Sequence, residues 1–104
     1  MDKVYVLSVE KGFDNNDAFN RVFDHSKEIR GVFLDRRHAV AHAKKVLLEQ
    51  MEAENDIPGS KFLYSRKSVK ETEQDGWFYC SVEKDPGGLE EARIACIVQE
   101  LPVN

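Results

Sequence analysis

The stretch Asp35-Arg36-Arg37-His38-Ala39-Val40-Ala41-His42-Ala43-Lys44-Lys45-Val46-Leu47-Leu48-Glu49-Gln50-Met51-Glu52-Ala53-Glu54 decides how the chain is read. Ala39, Val40, Ala43, Val46, Leu47 and Met51 recur at helical spacing and form one apolar stripe, with charged residues around the rest of the cylinder. Asp35 is a good N-cap, because a short side-chain oxygen can accept from the free backbone N–H groups of the first turn. Ala39 and Ala43 let the helix lie close to a sheet. Leu48 falls outside the centre of the stripe and is expected at the surface. Asn55-Asp56-Ile57-Pro58-Gly59-Ser60 ends the helix, since Asn and Gly tolerate positive φ and Pro58 disfavours helix at Ile57.

Outward from this helix the pattern turns to strands. Upstream, Lys3–Glu10 contains Val4-Tyr5-Val6-Leu7-Ser8-Val9, rich in β-branched and aromatic residues. Glu28–Leu34 reads as a second strand, with Ile29, Gly31 and Phe33 on one side and Arg30, Val32 and Leu34 on the other. Gly31 inside it signals a bulge or a close backbone approach. Between these strands, Gly12–Lys27 reads as a long loop. Asp14, Asn15, Asn16 and Asp17 are turn formers, and Phe19, Val22 and Phe23 have the spacing of a short helix capped by Asn16 or Asp17. Downstream, Lys61–Thr72 is β-permissive, Asp75-Gly76 marks a hairpin, Trp77–Glu83 alternates, Asp85-Pro86-Gly87-Gly88 is a turn, and Glu91–Leu101 is a last strand.

The expected fold is therefore α+β, one domain spanning residues 1–104. It has an antiparallel sheet in the order β-β-α-β-β-β, with one main helix packed on one face. At 104 residues the chain can bury a core without a disulfide or metal. Its hydrophobic share of 41% and charged share of 33% place it among globular rather than disordered chains.

The net charge of −4 disfavours nonspecific nucleic-acid binding, and the short basic clusters Arg36-Arg37, Lys44-Lys45 and Arg66-Lys67 are diluted by acidic neighbours. No apolar run reaches membrane-spanning length and no leader peptide is visible at the start, so an intracellular, cytoplasmic and reducing setting is expected. Cys80 and Cys96 sit in apolar runs and read as small buried hydrophobes.

His38 and His42 stand at i, i+4 and share a helix face, a spacing that suits two imidazoles on one metal. The helix lacks the zinc-protease glutamate between them and shows no third ligand, so solvated surface histidines are the preferred reading and no cofactor is expected. Cys80 with a histidine as nucleophile and base has no local support. The serines lack a nucleophile elbow, and Asp14, Asn16 and Asp17 lack the calcium-loop pattern. No catalytic residue is assigned, and the reading leans away from an enzyme.

Trp77 and Tyr79 point to one face of their strand. With Phe13 or Phe19 they form a candidate apolar contact surface. One helix covers one face of a sheet that is apolar on both, which leaves a second face for the long loop or for a second copy of the protein.

Val4-Tyr5-Val6-Leu7, Gly31-Val32-Phe33, the Ala39…Ala43 helix and the Asp75-Gly76 hairpin together resemble a layout shared by a group of small α+β proteins without established activity. The resemblance implies the same element order and assigns no site. The segment Asp14–Ser26 is longer here.

The expected function is a non-enzymatic protein-interaction module, possible as a homodimer. One alternative is a small-molecule binder or minor enzyme with a pocket under the 12–27 loop, with His25, His38 or His42 titrating. Another is a metal-binding protein using His38 and His42.

Overall fold

The computed structural model describes residues 2–16, 21–58, 64–83 and 90–103, with backbone alone at 13–16, 21–25, 90 and 91. The elements run β1 (Asp2–Asn16), β2 (Arg21–Phe33), α1 (Arg36–Asn55), a 3₁₀ turn (Arg66–Ser68), β3 (Lys70–Gln74), β4 (Trp77–Glu83) and β5 (Glu90–Val103). The five strands form one antiparallel sheet in the order β2-β1-β5-β4-β3, with α1 on one face. This is the expected α+β class and element order.

The largest departure lies at the expected 12–27 loop. β1 continues to Asn16 and pairs residue by residue with β2, from Lys11 opposite Ser26 to Asn16 opposite Arg21. Most of the segment is therefore a hairpin inside the sheet. Val22 and Phe23, expected in a short helix, are strand residues paired with Asn15 and Asp14. Phe19 lies outside the described residues.

The Gly31 signal is located in the ladder. Leu7 pairs with Gly31 while Ser8 pairs with Ile29, so Arg30 is the extra residue of a bulge. The bulge shifts the alternation of β2. Phe33 remains on the helix side, and Ile29 moves to the open side, opposite Ser8. A Cβ on Gly31 would lie 3.0 Å from the Phe33 ring, so the missing side chain is what lets that ring settle there.

α1 forms as its sequence dictates. The Asp35 side chain accepts from Arg37 N–H at 2.7 Å. Ala39, Ala43, Val46, Leu47 and Met51 face the core. They pack with Leu7 and Val9 of β1, Phe78, Cys80 and Val82 of β4, and Ile94, Cys96 and Val98 of β5. Leu48, expected at the surface, is half-buried against this cluster.

The C-terminal end of α1 is tied down by Asn55. Its side chain donates to the Tyr64 carbonyl at 3.0 Å and accepts from the Tyr64 N–H at 2.8 Å, imitating a strand partner. This brings the buried Tyr64 ring into the core. The Asp75-Gly76 turn joins β3 to β4. Gly76 has φ +83° and no other residue type takes positive φ among the described residues, so the turn has the type II pattern rather than the mirror-image I′ form.

Candidate functional site

Two surfaces come out of this architecture. The first is the sheet face away from α1. The ladder places Val4, Val6, Ile97, Leu101, Trp77 and Tyr79 there, joined by Ile29 and Val32 from β2. Ile29 is 66% exposed and Val32 61%, and Leu101 and Val103 are open to solvent as well. Trp77 and Tyr79 pack edge to face, with ring centroids 6.2 Å apart, and each is half-buried. Ser8 and Ser81 are almost fully buried on this side and Ala95 is fully buried, being small residues among larger neighbours. The 12–27 loop, one of the two covers expected for this face, is instead largely a continuation of the β1–β2 ladder.

The expected partners of Trp77 and Tyr79 are placed differently. Phe13 pairs with Ala92 near the start of β5, whereas Trp77 pairs with Gln99 near its end. Phe13 therefore belongs to the opposite end of the sheet. Trp77 and Tyr79 remain together, with Ile97 opposite Tyr79.

The second surface is a groove of about 780 Å³ at the N-terminal half of α1, between the helix, Tyr5, Leu34 and Glu73 of β3. Tyr5, Leu34 and Val40 give it apolar walls, and Arg36, Arg37 and Lys44 give it cations. Arg36 pairs with Glu73, and Lys44 pairs with Glu71 at 3.4 Å, so β3 neutralises two of the three. The Tyr5 hydroxyl donates to Glu100 at 3.3 Å. This groove lies near the start of the helix rather than beside the 12–27 segment. Sequence reasoning missed it because its walls come from the sheet order, which sets β3 beside the helix N-terminus.

His38 and His42 are on exposed helix positions. His42 rests against the Phe33 ring, centroids 5.2 Å apart, and so serves partly as cover for an aromatic side chain. Among the described residues no three His, Cys, Asp or Glu side chains come close enough to hold a metal ion. The His25 backbone pairs with Gly12 in the hairpin.

Tyr64 is the clearest perturbed ionisable group. Its phenol is pushed up to about 12 by burial, with the Glu54 carboxylate adding to the shift. Glu54 in turn pairs with Lys11 at 3.1 Å. This cluster links α1 to β1 beside the core and lines neither surface. No helix among the described residues is long and apolar enough to cross a membrane.

No family model, curated protein or solved structure matches this chain.

Proposed function

We propose that this protein is a non-enzymatic interaction module that associates with a second copy of itself through the open face of its sheet. The observation that carries this reading is the apolar row Ile29, Val32, Val6 and Ile97 with Trp77 and Tyr79, on the face that α1 does not cover. Gln99 between Val6 and Trp77 and Ser8 between Ile29 and Ile97 are the polar residues within this row, and monomers seldom leave so large a share of a sheet face apolar in water.

Size and edges favour the same reading. The molecule is 52 Å long. Strand spacings of about 4.8 Å and rises of about 3.4 Å give a face on the order of 800 Å², the area each partner contributes to a standard interface. Both sheet edges are poor sites for strand addition. β3 has five exposed residues, Lys70-Glu71-Thr72-Glu73-Gln74. β2 carries the Arg30 bulge with Lys27 and Glu28 beside it. Charges and bulges of this kind discourage edge pairing and leave the face as the surface for contact.

The test is light scattering across a wide concentration series. A mass twice the 11.9 kDa of the chain is expected, and Val32→Glu is expected to return it to that of one chain. A single-chain mass at every concentration would overturn the proposal.

A second reading rests on the groove beside Leu34 and Val40. Its volume is in the range of small-molecule sites, roughly 300–1,000 Å³. Its apolar walls, with Arg37 as the cation that β3 does not neutralise, suit a small apolar molecule carrying one carboxylate. Chemical-shift changes confined to residues 34–44 on addition of an aromatic carboxylate would support it. Shifts spread over the sheet, or none, would remove it.

A further inference from the structure

The chain has two cysteines, and folding sets them side by side. Cys80 of β4 and Cys96 of β5 are direct register partners in the antiparallel ladder. Both are free thiols, both are 0% exposed, and both belong to the core that α1 closes. Residues directly opposed in such a ladder have Cβ atoms about 4.5–5.5 Å apart. A disulfide needs roughly 3.5–4.5 Å between Cβ atoms, with Cα atoms roughly 4.4–6.8 Å apart. The two ranges meet at about 4.5 Å, so a small change of strand twist closes the gap, and rotation about χ1 then turns the sulfurs toward each other. We infer that Cys80 and Cys96 are a dithiol pair that a peroxide converts to a cross-strand disulfide within the folded sheet.

The two sulfurs also interact directly. The Cys96 thiol is hydrogen-bonded to Cys80, which lowers the pKa of Cys80; the same bond, with burial, raises that of Cys96. Lys44 favours the Cys80 thiolate and Glu71 opposes it. Either sulfur can attack first; with Cys80 as the nucleophile, Cys96 is the resolving thiol. The Cys80 thiolate attacks one peroxide oxygen; the S–O bond forms, the O–O bond breaks, and the leaving hydroxide takes up a proton to become water. The Cys96 sulfur then attacks the Cys80 sulfenic acid. The S–S bond forms, the S–O bond breaks, and the departing hydroxide leaves as a second water with the Cys96 proton. Two electrons pass from two thiols to one peroxide.

Access requires local opening, because neither thiol meets solvent. β3 is the natural point of entry: it is five residues long, exposed throughout, and the one strand outside β4. The bond would close the segment 81–95 into a loop and restrict the unfolded chain.

The experiment treats the full chain with hydrogen peroxide without denaturant, removes the peroxide, and then unfolds the protein in denaturant with a thiol alkylating reagent present. Intact mass spectrometry is expected to show a monomer 2 Da lighter that takes up no alkyl group. Thermal unfolding of this species is expected to rise by about 5 °C or more over the reduced form, with the rise reversed by a reducing agent. Cys80→Ala and Cys96→Ala are each expected to lose both effects. Each substitution removes a side chain from the core and can impair folding by itself, so the wild-type measurement decides alone. Two alkylated cysteines after peroxide treatment, a disulfide that joins two molecules, or an oxidised monomer that melts below the reduced one would each overturn the inference.

Discussion

The two faces of the sheet are built from the same strands and treated in opposite ways. On the helix side, Leu7, Cys80, Cys96, Val98 and Ile94 are buried to 1% exposure or less. On the other side, Ile29 and Val32 keep most of their surface in water. Alternation along each strand supplies both faces with apolar residues, but the chain supplies one long helix. Stability is therefore concentrated on one side, and the capacity for association on the other. An apolar side chain contributes to folding by the area it removes from water, so its place on one face or the other sets what its loss would cost.

The sharpest way to break this contrast is Leu47→Ala. Leu47 is 1% exposed in the middle of α1, and its truncation is expected to destabilise the fold by about 3 kcal/mol in urea unfolding. Under the same conditions at low protein concentration, Val32→Ala is expected to cost about 0.5 kcal/mol or less. Equal costs would mean that the open face is already covered within one chain.

Next in size is Asn55→Ala, expected to cost about 2 kcal/mol because it removes both hydrogen bonds to the Tyr64 backbone beside the core. Comparable in scale is an alkaline effect confined to the helix side. The Tyr64 pKa is raised from 10.0 to about 12. The folded state thus favours the protonated phenol, a contribution that is complete below pH 10 and lost as pH rises through 12. Tyr64→Phe is expected to flatten the fall in stability between those values, measured as urea midpoints against pH. An unchanged slope would show that the phenol ionises as readily in the fold as out of it. The smallest effect is expected from Lys44→Ala, which removes an exposed pair with Glu71 and should change stability by about 0.5 kcal/mol or less.

The helix side was also the readable side. The stripe from Ala39 to Met51, the Asp35 cap and the glycine of the Asp75-Gly76 turn are local signals, each enforced by contacts within a few residues. Gly31 announced its bulge for a similar reason, although the bulge then reversed the assignment of Ile29. The hairpin through Gly12–Lys27 was not readable. Four turn formers at Asp14–Asp17 precede a helix-like Phe19, Val22, Phe23 spacing, and polar residues such as Lys11, Ser26 and Lys27 weaken the two-residue alternation. Pairing with β5 holds that segment as strand, and this contact depends on residues some eighty positions away. The groove and the Cys80–Cys96 pairing stayed hidden for the same reason. Both depend on register and strand order, which residue spacing does not encode.

The position of β5 has a consequence in time. It lies between β1 and β4 in the sheet but follows both in the chain. Before it docks, the molecule consists of two hairpins, β1–β2 and β3–β4, that share no hydrogen-bonded ladder. Asp2 finds its partner in Val103 at the other end of the sequence. Folding must wait for this long-range insertion, a topology that places the chain among slow folders for its size. As the chain is synthesised, the edges of β1 and β4 stay unpaired until the last strand is available, which makes that interval the one in which the protein is most open to the wrong neighbour.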